Sequence, residues 1–152
     1  MQVLVLTIKN KTMRNRVIKF RAYDAKNKYM AYQGTPDLET IQSFFYHFGD
    51  CELMQFTGLY DKNGKEVYEG DILMTENSLV RIIDNSKVDN PEYLNWYEVF
   101  WNENKGLNCW SLKIIKTTRS GNFGLNNRSN SYLNIYTDTS EIVGNIFENQ
   151  IS

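Results

Sequence analysis

The stretch LMQFTGLYDKNGKEVYEGDILM, residues 53–74, decides the fold. Apolar residues on each side of Asp61–Gly64 predict two strands joined by a tight turn. The Asp61 side chain can accept backbone N–H groups, and Asn-Gly tolerates the positive φ of a hairpin turn. Gly70 interrupts the second strand, which predicts a bulge or a sharp bend. Because small barrels need such bends, the sequence predicts a mainly β (α+β) fold in which curled antiparallel sheets form a small barrel-like domain.

One amphipathic helix is predicted at about residues 36–48. Thr35 suits the N-cap, Pro36 suits the first helical position, and Gly49 suits the C-terminal stop. Four apolar residues recur at helical spacing: Leu38, Ile41, Phe45 and Phe48. This stripe predicts packing against the core.

Further strands are predicted on both sides of the central hairpin. Segments of strand composition lie at Val17–Tyr23, Tyr29–Gln33, Leu79–Asp84, Tyr132–Tyr136 and Ile142–Phe147. A second hairpin is predicted from Leu94–Asn102 and Leu107–Ile115. Because side chains alternate along a strand, its first strand has aromatic residues on both faces. Tyr97, Val99 and Trp101 share one face, and Trp96 and Phe100 share the other.

Because aromatic side chains lie on both faces of this hairpin, each face is expected to have its own contacts. One face is predicted to meet the core. The other face is open to three interpretations, which are cover by the helix, contact with a second subunit, or stacking against nucleic-acid bases. Cover within the same chain is the simplest of these, and self-association comes next.

Positive charge is concentrated at the start of the chain, although the formal net charge is −1. Residues 1–23 contain no acidic residue and six basic ones: Lys9, Lys11, Arg14, Arg16, Lys19 and Arg21. A basic arm on an acidic body can contact nucleic acid. It can equally dock on an acidic face of its own or a neighbouring subunit, and both interpretations stay open.

Carboxylates after the central turn raise the question of catalysis or metal binding. Glu66, Glu69 and Asp71 could form an acid–base or metal cluster, but we interpret them as a solvated turn with polar strand positions. A calcium loop that starts at Asp61 is excluded, because positions 6 and 12 of an EF-hand would hold Glu66 and Ile72.

Histidine and cysteine are too few for a recognisable site. His47 is the only histidine, and Cys51 and Cys109 are the only cysteines. Structural zinc normally has four ligands, so no metal and no other cofactor is predicted. The sequence also lacks a Gly-x-Ser-x-Gly elbow, a His-Glu-x-x-His motif and a dinucleotide fingerprint. It therefore does not predict an enzyme.

The hydropathy pattern predicts a cytoplasmic protein. No run of about 18 apolar residues is present, which argues against a membrane span. Residues 1–8 are mostly apolar, but they lack the basic start and the small-residue cleavage site of a signal peptide. The two cysteines also fit a reducing compartment.

Three blocks of the chain resemble the YopX family, a group of small proteins from phages and prophages of Gram-positive bacteria. The blocks are IKFRAYD (18–24), LMQFTGLYDKNGKEVYEGDIL (53–73) and EIVGNIFEN (141–149). The resemblance implies a family-like domain at residues 13–152, with two subdomains as an alternative, after an N-terminal extension at residues 1–12. It also implies a β-rich fold with a barrel-like part, a tendency to self-associate and no established activity. It supplies no catalytic residues.

These observations favour a phage- or prophage-encoded, non-enzymatic interaction protein that self-associates in the cytoplasm of the host cell. A further partner is expected to be a phage or host protein, and no membrane is involved. The alternative is a nucleic-acid-binding accessory protein that uses the basic N-terminal arm and the sheet aromatics. The predicted contact residues are the same in both cases: Arg14, Arg16, Lys19, Arg21, Trp96, Phe100, Trp101 and Trp110.

Overall fold

The computed structural model describes residues 17–77, 93–103, 108–118, 131–132 and 138–148, and within them nine strands and one helix. The helix is α1 (Ile41–Phe48), and the strands are β1 (Phe20–Asp24), β2 (Tyr29–Tyr32), β3 (Glu52–Tyr60), β4 (Glu66–Tyr68), β5 (Asp71–Asn77), β6 (Tyr93–Asn102), β7 (Cys109–Thr117), β8 (Ser131–Tyr132) and β9 (Ser140–Asn145). They form two antiparallel sheets with the orders β2-β1-β3-β4 and β8-β7-β6-β5-β9. The predicted mainly β fold of curled antiparallel sheets with one helix is confirmed in the described residues, and the predicted barrel-like part is a curled half-barrel.

The turn between β3 and β4 has the predicted chemistry. Asp61 Oδ1 accepts the backbone N–H groups of Asn63 and Lys65, each at 2.9 Å. Asp61 Oδ2 accepts the N–H of Ile142 in β9 at 3.1 Å, so the turn of one sheet is fastened to an edge strand of the other. Gly64 has a φ of 77°, the positive value that the Asn-Gly pair predicts.

Gly70 is the corner at which the chain leaves one sheet and enters the other. Its φ is 78°, and it separates β4 of the four-stranded sheet from β5 of the five-stranded sheet. Its N–H donates to the Val99 carbonyl at 2.8 Å, and its carbonyl accepts the Ile146 N–H at 2.9 Å. A Cβ at this position would lie 3.2 Å from Ile146 Cγ1. The predicted interruption of the second strand is therefore a passage between sheets.

Bulges at two places interrupt the register of the five-stranded sheet. In β9, Ile142 and Gly144 pair with consecutive residues of β5, so Val143 is an extra residue between them. A second register shift lies between β6 and β7, next to Trp96. An extra residue bends its strand and increases the local twist, and such bends curl a sheet.

The helix begins at Ile41, so the predicted start near residue 36 is wrong. Thr35–Leu38 forms a tight turn instead, closed by the N–H of its last residue donating to the carbonyl of its first at 3.0 Å. Pro36 and Asp37 occupy the central positions of this turn, and Asp37 has a φ of 67°. A type II turn favours proline at the first of these positions and needs positive φ at the second. The N-cap is Thr40, which forms a capping box within the first helical turn.

The predicted core stripe is confirmed at Leu38 and Phe48, which pack in the core of the four-stranded sheet, and is wrong at Ile41 and Phe45. Phe44 is fully buried at 0% exposure, whereas Ile41 and Phe45 are 40% and 42% exposed. Successive helical residues are about 100° apart around the axis, so a helix that directs Phe44 at the sheet turns Phe45 away from it. The predicted end is confirmed, because the Gly49 N–H caps the helix by donating to the Phe45 carbonyl at 2.9 Å.

Each sheet has its own apolar core. Between α1 and the four-stranded sheet the buried residues are Ala22, Ala31, Leu38 and Phe44. The second core contains Val67 of β4 together with residues from one face of the five-stranded sheet: Leu73, Tyr97, Val99 and Leu112. The prediction that Tyr97 and Val99 share a core-facing side of the second hairpin is confirmed.

The other predicted strands hold in outline where the structure describes them. β1 begins at Phe20 rather than at Val17, and β9 ends at Asn145 rather than at Phe147. The predicted strand Leu79–Asp84 and the N-terminal extension, residues 1–12, lie outside the described residues, and so does the predicted strand Tyr132–Tyr136 beyond Tyr132.

Candidate functional site

The described members of the predicted basic arm are Lys19 and Arg21, and both are paired with carboxylates. Lys19 forms an ion pair with Glu66, and its Nζ lies 5.0 Å from the centre of the Phe56 ring of β3. Arg21 lies in β1 and is only 4% exposed. The other predicted contacts in the arm, Arg14 and Arg16, lie outside the described residues.

Arg21 joins the two sheets from the inside. Its Nη2 donates to Asp71 Oδ1 at 2.7 Å and to the Glu69 carbonyl at 3.3 Å. Its guanidinium lies 4.8 Å from the centre of the Tyr68 ring. A buried charge needs partners of this kind, because taking it out of water is costly. The structure therefore gives Arg21 a structural role inside the protein and does not place it on a contact surface.

The carboxylates of the Glu66–Asp71 segment are not a solvated cluster, so that interpretation is corrected. Asp71 is 1% exposed; burial raises its pKa above the usual range, and the Arg21 charge opposes this shift. Burial also raises the pKa of Glu69. Glu66 accepts the Tyr68 hydroxyl at 2.9 Å in addition to its ion pair. Asp71 of β5 is thus paired with Arg21 of β1 across the two sheets, whereas Glu66 of β4 is paired with Lys19, which directly precedes β1, within the four-stranded sheet.

The predicted contact aromatics of β6 and β7 fall on two faces. Trp101 and Trp110 are opposite each other across the strands, with ring centroids 4.9 Å apart, and Trp110 packs against the buried core. Trp96 and Phe100 alternate with the core-facing residues of β6 and are half-buried. Lys116 lies over Trp96, with its Nζ 5.4 Å from the ring centre. The structure brings the first pair together and places the second pair on the opposite face.

Helix α1 presents an exposed apolar surface, which includes two residues predicted to pack against the core, Ile41 and Phe45. Phe44 is its only buried residue. Ile41 and Phe45 are about two-fifths exposed, and Tyr46 is 82% exposed. No residue of the helix is Asp, Glu, Lys or Arg. Exposed apolar patches commonly mark interaction sites, and we name Ile41, Phe45 and Tyr46 the α1 face.

A shallow depression of about 270 Å³ lies at the C-terminal end of α1. It is lined by Pro36, Asp37, Leu38, His47 and Phe48. Leu38 is buried and Phe48 half-buried, whereas Asp37 and His47 are exposed. The depression therefore has an apolar base and a polar rim. The Tyr46 ring meets the His47 ring edge-on, with centroids 5.3 Å apart.

The ranges that the structure describes contain no group of three or more His, Cys, Asp or Glu side chains placed to hold a metal ion. Cys51 and Cys109 are free thiols, and burial raises the pKa of Cys51. A helix long and apolar enough to cross a membrane is also absent from these ranges.

Comparison with known proteins supports the resemblance noted in the sequence. Residues 19–150 match the family described as YopX protein. Among solved structures, the crystal structure of protein EF1440 from Enterococcus faecalis is similar to this chain at 22% identity, with a TM-score of 0.47. The similarity covers 88% of this chain and 95% of that one. No curated protein matches the chain. Because the family match spans most of the chain, the protein belongs to the YopX family.

Proposed function

We propose that this protein is a non-enzymatic interaction protein that self-associates through the α1 face. The observation that carries the proposal is the exposure of Ile41, Phe45 and Tyr46 on a helix with a single buried residue. A second copy that covers these side chains removes their apolar surface from water, which is favourable.

The absence of charge on α1 supports a second copy as the occupant. In a two-fold symmetric interface the same surface meets itself, so a charged residue on the axis faces the same charge of the other copy. Like charges brought together in this way oppose association. Helix α1 carries no Asp, Glu, Lys or Arg, and so the α1 face can meet its own copy without this repulsion.

The carboxylates support an interaction role over catalysis. Asp61 accepts backbone N–H groups in its turn, Asp71 is paired with Arg21, and Glu66 is paired with Lys19. A general acid or base must reach a proton of the substrate. These three side chains are instead held by structural partners.

The expected setting is the cytoplasm of a bacterial host cell, for a protein encoded by a phage or prophage, with a phage or host protein as a further partner. The resemblance of its sequence blocks to the YopX family supports this setting. The free thiols of Cys51 and Cys109 fit a reducing compartment. Fractionation of host cells tests it, and recovery of the protein with the membrane fraction would contradict it.

The nucleic-acid alternative has one favourable observation, which is the position of Lys116 over Trp96. A basic side chain beside an aromatic ring is a feature of single-stranded nucleic-acid sites. Against it, Lys19 and Arg21 are already paired with carboxylates. Salt-dependent binding of DNA or RNA that is lost in the Lys116→Ala variant would favour the alternative. No binding at low ionic strength would remove it.

Light scattering over a dilution series tests self-association. We expect the wild type to reach twice the mass of the chain, and the Ile41→Ser/Phe45→Ser variant to stay monomeric at the same concentrations. These substitutions remove apolar surface from the α1 face and leave the buried Phe44 in place.

Tyr60→Ser is the matched control for this experiment. Tyr60 is 50% exposed, comparable with the residues of the α1 face. It lies at the end of β3 that is distant from α1, at most about 26 Å along the strand from Glu52. We expect this variant to self-associate like the wild type. A strictly monomeric wild type, or an equal loss of mass in the control, would contradict the proposal.

A further inference from the structure

We infer that Tyr46 of each copy inserts its ring into the depression at the C-terminal end of α1 of the other copy. The inference rests on the proposed self-association and deepens it, because it names the contact that holds the two copies together. It assigns the depression an occupant, the phenol group of a second chain.

Tyr46 has the properties of an interface anchor. At 82% exposure it is the most exposed large apolar side chain among the described residues. Its ring is nearly perpendicular to the neighbouring His47 ring, with centroids 5.3 Å apart. Tyrosine is enriched at interface hot spots, because it combines a large apolar ring with a hydroxyl that can be hydrogen-bonded.

The depression matches this side chain in size and chemistry. A cavity of about 150 Å³ is large enough to bind benzene, so the volume of about 270 Å³ found here admits a phenol ring. Leu38 and Phe48 offer apolar contact at the base. A buried tyrosine hydroxyl needs a hydrogen-bond partner, and the Asp37 carboxylate on the rim can accept from it.

The position of the anchor beside the depression gives the contact its symmetry. Tyr46 directly precedes His47, which lines the depression, so both features lie at the same end of one helix. A two-fold axis next to this end of α1 brings the ring of each copy to the depression of the other. Such an interface is self-complementary and closes into a dimer, with two equivalent contacts.

Sedimentation equilibrium of two variants tests the contact. Tyr46→Ala removes the ring and keeps the depression, whereas His47→Trp narrows the depression and keeps the ring. Each homodimer loses both contacts, so we expect its dissociation constant to rise at least about 100-fold in each case. Tyr46→Phe keeps the ring and is the conservative control, with a rise of less than about 10-fold. Both positions are exposed, and circular dichroism checks that the variants are folded.

Mixing the two variants separates this contact from a general loss of affinity. In a heterodimer, the Tyr46 ring of the His47→Trp chain meets the intact depression of the Tyr46→Ala chain, and one contact is restored. The mixture is expected to associate more tightly than either variant alone. A wild-type dimer that is unaffected by Tyr46→Ala, or a mixture that gains nothing, overturns this inference alone. A wild type that is monomeric overturns the proposed function as well.

Discussion

At the scale of single residues, the Arg21–Asp71 pair is a buried contact between the two sheets. The two side chains come from β1 and β5, and both are nearly inaccessible to water. Burial makes each charge depend on the other, because either charge left buried without its partner is strongly destabilising. We therefore expect the removal of either partner to destabilise the contact between the sheets.

We expect Arg21→Met to lower the free energy of unfolding by about 3 kcal/mol, because it leaves the Asp71 carboxylate buried without a cation. Adding Asp71→Asn should recover part of this loss, since the amide is neutral and its oxygen can still accept the Tyr68 N–H. Urea unfolding of the wild type and the single and double variants measures both effects. A cost below about 1 kcal/mol for Arg21→Met would mean that the carboxylate does not depend on this partner.

Residues with local partners were predictable from the sequence, and residues with distant partners were not. Asp61 bonds to N–H groups two and four residues further along, so its turn chemistry is visible in the sequence. Arg21 meets a residue 50 positions away, and nothing in either strand marks the other as its partner. For the same reason the sequence placed Arg21 on a basic arm and Asp71 in a solvated turn with polar strand positions.

At the scale of elements, the corner at Gly70 decides that one chain makes two sheets. Both Gly64 and Gly70 have positive φ, but only Gly70 is crowded, since a Cβ there would press on Ile146. Gly64 has open space around it. The two glycines therefore share a backbone requirement and differ in a steric one.

Gly64→Ala should destabilise the protein by about 1 kcal/mol through backbone strain alone. Gly70→Ala should cost more, about 2–3 kcal/mol, because strain and the clash with Ile146 combine. When Ile146→Ala is added to Gly70→Ala, the part of the destabilisation that comes from the clash should disappear. Thermal or urea unfolding of these variants measures the difference in stability between them. Equal destabilisation by Gly64→Ala and Gly70→Ala would show that a side chain at Gly70 meets no steric barrier.

Helix α1 shows why an element can be located from sequence while its orientation cannot. Its apolar spacing and Gly49 indicate a helix and its end, but Pro36 fits a first helical position and a type II turn equally well. Phe44, Phe45 and Tyr46 are consecutive, so more than one apolar stripe can be drawn on the helix. Of these residues, Phe44 packs against the four-stranded sheet, and the α1 face is therefore exposed.

At the scale of the whole molecule, several contacts fix the two sheets relative to each other, and α1 lies outside these contacts. Besides the Arg21–Asp71 pair, Tyr23 of β1 stacks on Phe147 after β9, with ring centroids 5.2 Å apart. Asp61 adds its hydrogen bond to β9. Helix α1 packs on the face of the four-stranded sheet that is turned away from these contacts. The α1 face therefore takes no part in them and is available for a second copy.

Hydrogen–deuterium exchange of the wild-type protein at low and high concentration tests the central claim most directly. If the α1 face meets a second copy, the amides of Ile41–Phe48 exchange more slowly in the concentrated sample, because association reduces local opening of the helix. The amides at the Tyr60 end of β3 then exchange at the same rate in both samples. Exchange of α1 that is independent of concentration, or slowing confined to other segments, would contradict the account.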